Sequence, residues 1–168
     1  SFVHDWQMAD LLPALDQVKA GRSFDAGQAA FREVGCIQCH RFAGEGGSVG
    51  PDLTGVGRRL NIHDVLESIL LPSKVIAAPF RTTEIETKGG ELITGHIERE
   101  DDKTIVIRTN PQVQESAVIP KQNVKRRDQS QVSNMPTGIV NVLTKDQVLD
   151  LLAYLISDGR RDHPALQK

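Results

Sequence analysis

Cys36-Ile37-Gln38-Cys39-His40 is the stretch on which the reading of this chain turns. Two thiols three positions apart, followed at once by a histidine, fit the C-x-x-C-H pattern of covalent c-type haem attachment. The spacing has a chemical reason. Thiols so placed at the end of a helix can reach the two vinyl groups on one porphyrin edge, and the histidine beneath the iron supplies a nitrogen ligand. Zinc or thiol redox chemistry would use the same residue types. Zinc would need a fourth ligand, and no second cysteine pair exists. A thioredoxin-like motif would follow a strand, whereas this one follows a helical pattern.

That pattern covers residues 23–34. Ser23 suits an N-cap, Asp25 favours the positive helix end, and Phe24, Gly27, Phe31 and Val34 recur at helical spacing. Gly35 ends the helix and delivers the chain into Cys36. On the other side, Ala43 to Gly50 is a glycine-rich loop that lacks either phosphate-binding pattern, so a loop wrapping the histidine side is expected. Pro51 follows it in Gly50-Pro51-Asp52-Leu53. A metal-bound imidazole donates its other N–H to an acceptor, and a proline carbonyl is a stiff one. Arg58 and Arg59 offer planar guanidinium groups for haem propionates, or plain solvent-facing charge.

The sixth iron position decides the function. Met135, in Ser133-Asn134-Met135-Pro136, is the expected ligand; a thioether raises the reduction potential and closes the site to other molecules. The other methionine, Met8, lies in the N-terminal stretch. His63 falls off the apolar stripe of its helix, and His96 lies among strand-like residues; neither is favoured as ligand.

Further out, residues 8–20 read as a helix with Leu11, Leu15 and Val18 on one face. Another begins at Asn61, with Ile62, Val65, Leu66, Ile69 and Leu70 as its stripe, and Pro72 closes it. The last helix opens on Thr144-Lys145-Asp146-Gln147, a capping box, and buries Val148, Leu151, Leu152 and Leu155. Between them the character changes. Thr82–Thr87, Leu92–Glu98, Thr104–Arg108 and Val113–Ile119 are strand-like, separated by turns at 88–91, 100–103 and Thr109-Asn110-Pro111. Four or five short strands predict a small antiparallel sheet or barrel. The basic run Lys121 to Arg127 reads as a charged strand edge.

The composition is that of an ordinary globular protein, and a net charge of −2 offers no field for nucleic acid or an anionic membrane. Both cysteines lie in the motif, so no disulfide framework is available. No apolar run approaches the ~20 residues of a transmembrane helix, and no signal pattern opens the chain. Thioether attachment is made outside the bacterial cytoplasm, so a processed protein or an excised piece of a longer one is expected.

With these residues in place, the chain resembles the class I cytochromes c over about residues 23–72 and 128–158. Gly27 and Phe31 match that family's N-terminal helix, and Leu151 to Leu155 with Tyr154 its C-terminal one. Cys36-Ile37-Gln38-Cys39-His40, Gly50-Pro51-Asp52-Leu53 and Met135-Pro136 match its haem motif, proximal proline and distal methionine in order. The whole chain further resembles the planctomycete/verrucomicrobial-type haem-binding domain at the C-terminus of large membrane-bound dehydrogenases. The long stretch between His40 and Met135 departs from small cytochromes.

The resemblance implies a mainly α cytochrome c fold with an inserted antiparallel sheet or barrel, α+β overall. Its expected parts are an extension at 1–22, a core at 23–79 and 128–168, and an insertion at 80–127. It implies one covalent haem c that accepts electrons from a dehydrogenase domain of the parent protein and passes them to a downstream acceptor, outside the cytoplasm. A haem sensor with a labile sixth ligand is the alternative. A peroxidase would need an open iron and acid–base groups beside it, and a single C-x-x-C-H argues against the two-haem kind.

Overall fold

Helix-forming and strand-forming stretches separate into two units in the computed structural model, which describes residues 1–110, 113 and 115–168. Residues 1–74 with 136–168 form the first unit, and residues 75–135 the second. Together they are α+β.

In the first unit, helix α1 (Met8–Leu11) passes into a 3-10 segment over Leu12–Lys19. This corrects the expectation of one helix across 8–20, and Pro13 is the cause. Its nitrogen has no hydrogen for the carbonyl four residues back, so the α-helical ladder cannot run through it. Leu11, Ala14 and Val18 are buried all the same.

Helix α2 (Phe24–Glu33) starts at Ser23, whose hydroxyl accepts the Ala26 amide at 3.2 Å. Two one-turn helices follow, α3 (Cys36–Cys39) and α4 (Val56–Arg59). Between them lies a hairpin of two-residue strands, β1 (Arg41–Phe42) and β2 (Glu45–Gly46). Helix α5 (Ile62–Leu70) starts at Asn61, whose side chain accepts the Asp64 amide at 2.8 Å. Its buried residues are Val65, Leu66, Ile69 and Leu70, as the apolar stripe predicts.

Helix α6 (Lys145–Ile156) begins with the expected reciprocal cap. The Gln147 amide donates to the Thr144 hydroxyl at 3.3 Å, and the Thr144 amide donates to Gln147 Oε1 at 2.8 Å. Thr144→Ala deletes one half of that pair and is expected to cost about 1 kcal/mol. A urea melt reads this as a lower midpoint at an unchanged slope; an unchanged midpoint would mean the cap contributes nothing.

The core forms where α2 crosses α6. A Cβ at Gly27 would come within 2.6 Å of the Tyr154 Cβ and closer still to the Asp150 carbonyl oxygen, so only glycine permits this approach. Around the crossing Tyr154 meets Phe24 and Phe42, each with ring centroids 5.2 Å apart, and Phe31 at 5.8 Å. Edge-on aromatic pairs of this kind add about 0.5–1.5 kcal/mol each beyond the area they bury. The buried Asp150 carboxylate accepts the Ser23 amide at 3.0 Å, fastening the start of α2 to α6.

The second unit is an antiparallel sheet of β3 (Thr83–Thr87), β4 (Leu92–Glu100), β5 (Thr104–Asn110), β6 (Glu115–Pro120) and β7 (Val124–Gln129). Their order is β6-β5-β4-β3-β7, an open sheet with β6 and β7 at its edges. One face is apolar because the isoleucines alternate along the strands. Ile85, Ile105, Ile107 and Ile119 are buried, with Ile93, Ile97 and Val124 packed on them. The expected turn at Thr109-Asn110-Pro111 falls partly outside the described residues, as does Gln114 of the expected run Val113–Ile119. On the edge strand β7, Lys125 pairs with Glu86 at 2.6 Å and Arg127 with Glu100 at 3.0 Å.

Candidate functional site

Gly35 takes a left-handed conformation (φ 81°) between α2 and α3, which lets a new helical turn begin at once. Helix α3 sets Cys36 and Cys39 at i and i+3, so both sulfurs lie on one face. His40 then leaves the turn in an extended conformation. Burial pushes the Cys36 thiol up to about 11, and the neighbouring Cys39 adds to the effect. A reactive exchange thiol is one whose pKa is lowered, the opposite direction to that of Cys36. No cluster of three or more His, Cys, Asp or Glu able to hold a metal ion occurs among the described residues.

His40 Nδ1 lies 2.7 Å from the Pro51 carbonyl oxygen. A carbonyl can only accept, so Nδ1 carries the hydrogen, and in the neutral ring Nε2 keeps its lone pair. The ring is packed from the side by Gly50, where a Cβ would come within 2.7 Å of Cε1. The backbone at Gly46 and Gly47 likewise presses on the carbonyls of His40 and Gln38. Close approach to the motif explains Gly46, Gly47 and Gly50, whereas Gly44 has open space around it and a left-handed φ of 83°. The Gly50 amide donates to the Cys39 carbonyl at 2.8 Å and the Leu53 amide to that of Arg41 at 2.9 Å, tying the loop down on both sides of Pro51.

A haem suits this donor set. Two sulfurs share one helical face, and the imidazole after them has one nitrogen engaged and the other free for iron.

The remaining predicted residues lie as follows. Arg58 is 78% exposed, its guanidinium 3.6 Å from the Asp158 carboxylate. Arg59 turns back on its own loop and donates to the carbonyls of Thr54 and, at 3.1 Å, Asp52. Met135 is half-buried at the end of the second unit, its amide donating to the Ser133 hydroxyl at 3.1 Å. His63 is exposed beside Asp64, and His96 is exposed on β4. Sequence reasoning missed Asp158, whose carboxylate accepts the Gly55 amide at 2.7 Å. No periodicity marks a residue beyond a helix end, and only its position in the fold reveals it.

A family model described as Cytochrome c matches residues 24–90. The match supports a cytochrome c domain over those residues. The match opens on the first residue of α2 and takes in Cys36, Cys39, His40 and Pro51. Cytochrome c domains carry covalently attached haem c with its iron, so haem c is the cofactor, and their work is haem-based electron transfer. Such domains are typically extracytoplasmic. No curated protein matches this chain. Among the described residues, no helix is long and apolar enough to cross a membrane.

Proposed function

We propose that this domain passes single electrons through one haem c, whose iron would be held by His40 and Met135. When bound, the haem supplies the one-electron chemistry. Cys36 and Cys39 hold it by thioether bonds, and His40, kept in one tautomer by Pro51, presents Nε2 to the metal. The observation that carries this reading is the 2.7 Å bond from His40 Nδ1 to the Pro51 carbonyl, which orients a ligand before any metal arrives. Met135 is supported by the sequence: it precedes a proline, stands ahead of the last helix, and is a soft neutral donor suited to both iron oxidation states. Arg58, exposed near the same loop, is a candidate for the propionates. Resemblance to the haem domain of large dehydrogenases makes a dehydrogenase domain of a longer parent protein the electron donor, with a separate acceptor downstream, outside the cytoplasm.

Carbon monoxide separates this reading from a sensor with a labile sixth ligand. The ferrous wild-type protein is expected to resist CO, and Met135→Ala to bind it at least about tenfold faster, with a lower reduction potential. Rapid CO binding by the wild type, unaltered in Met135→Ala, would sink the His/Met assignment.

A further inference from the structure

The C-terminal end of α6 meets the loop carrying Pro51 from behind. Gly57 lies so close to it that a Cβ there would come within 2.7 Å of the Ile156 Cα. Two residues later Asp158 adopts φ 57°, a left-handed conformation uncommon for a residue with a side chain. From there its carboxylate reaches across. Oδ1 accepts the Gly55 amide at 2.7 Å, and Oδ2 lies 3.6 Å from the Arg58 guanidinium. The Asp158 side chain is only 24% exposed, so water competes weakly for this charge-assisted bond.

Gly55 is the N-cap of α4, and its position fixes the turn before it. The Val56 amide donates to the Leu53 carbonyl at 2.9 Å, and the Thr54 amide to Asp52 Oδ1 at 2.8 Å. Arg59 spans the same turn through the carbonyls of Asp52 and Thr54. The turn therefore runs as a bonded unit from Gly55 back to Asp52, the residue that follows Pro51, whose carbonyl meets His40.

We propose that Asp158 is a positioning residue for His40: by anchoring Gly55 to the end of α6, it holds the Pro51 carbonyl on His40 Nδ1. The proposal rests on the reading of His40 as an iron ligand. A firm acceptor on the far ring nitrogen makes the imidazole a stronger donor and favours the ferric state. A loosened one favours the ferrous state.

The test uses the haem-loaded protein. Asp158→Gly removes the carboxylate and still admits the left-handed backbone, while Asp158→Asn tolerates the same conformation, keeps an oxygen acceptor and drops the charge. In NMR spectra of the ferrous protein, Asp158→Gly is expected to speed exchange of the His40 Nδ1 hydrogen about tenfold. The same variant should shift the ferric–ferrous equilibrium about threefold towards ferrous. Asp158→Asn should fall between it and the wild type. Wild-type values of both quantities in Asp158→Gly would overturn the proposal. Should that variant fail to accumulate with haem, Asp158→Asn decides: Gly55 amide and His40 Nδ1 exchange both equal to wild type would overturn it equally. Wild-type spectra without a coordinated His40 would instead remove the reading beneath it, so the two failures are distinguishable.

Discussion

Gly27→Val is expected to prevent α2 and α6 from meeting. The wild-type backbones approach so closely that even a Cβ at this position would press on Asp150 and Tyr154, and both lie on the buried face of α6. A flexible side chain could yield, but here one neighbour is a helix carbonyl that is part of its own ladder. Relief requires the helices to separate. That would open the contacts of Tyr154 with Phe24, Phe31 and Phe42 and draw Asp150 away from the Ser23 amide. The expected loss is more than about 4 kcal/mol, beyond the common range for point substitutions. Set against a total stability of about 5–15 kcal/mol, such a loss leaves little folded protein. Circular dichroism melts and the yield of haem-loaded protein read the effect. Gly89→Ala is the control, since a Cβ there meets only the Thr87 hydroxyl at 3.8 Å. Equal melting of the two variants would refute the close-crossing account.

His40→Ala should have the largest effect on the site itself while leaving the helix crossing intact. It removes the nitrogen donor next to the two thiols, and Pro51 offers only a carbonyl, which its bond to Nδ1 has turned towards the ring. The low-spin absorption spectrum of the haem-loaded protein is expected to fall at least about tenfold, because second-layer losses alone cost 10–100-fold. Added imidazole should restore part of it. Pro51→Ala makes an informative contrast. The acceptor is a backbone oxygen and survives the substitution, so only the stiffness of the turn is lost and the spectrum should stay close to wild type. A large loss in Pro51→Ala with a small one in His40→Ala would reverse the roles assigned to the two residues.

The elements most legible in the sequence were those whose signals are local. Ser23, Asn61 and Thr144 are caps because their side chains satisfy amides three residues away, and the structure has all three in that role. Alternating isoleucines revealed the sheet for the same reason. The helix over 8–20 was harder, because Pro13 sits where a short first turn and a broken ladder look alike from spacing alone. The hairpin of β1 and β2 was hidden by length: two-residue strands leave no alternation to read. At the site, the motif and Pro51 were visible as residues at a characteristic spacing. Asp158 was not, since its partner is a backbone amide brought near by the approach of distant segments.

The first unit is discontinuous in sequence, with Ser1–Lys74 and Pro136–Lys168 on either side of the sheet. During synthesis, the segment bearing Cys36, Cys39 and His40 leaves the ribosome before its main packing partner exists. Gly27, Ala30 and Phe31 have no α6 to cover them, and Gly55 has no Asp158, until the last stretch of the chain is made. The sheet has all its strands by then. The two segments of the first unit can therefore close on each other only after the whole intervening sheet segment and the last helix have been made.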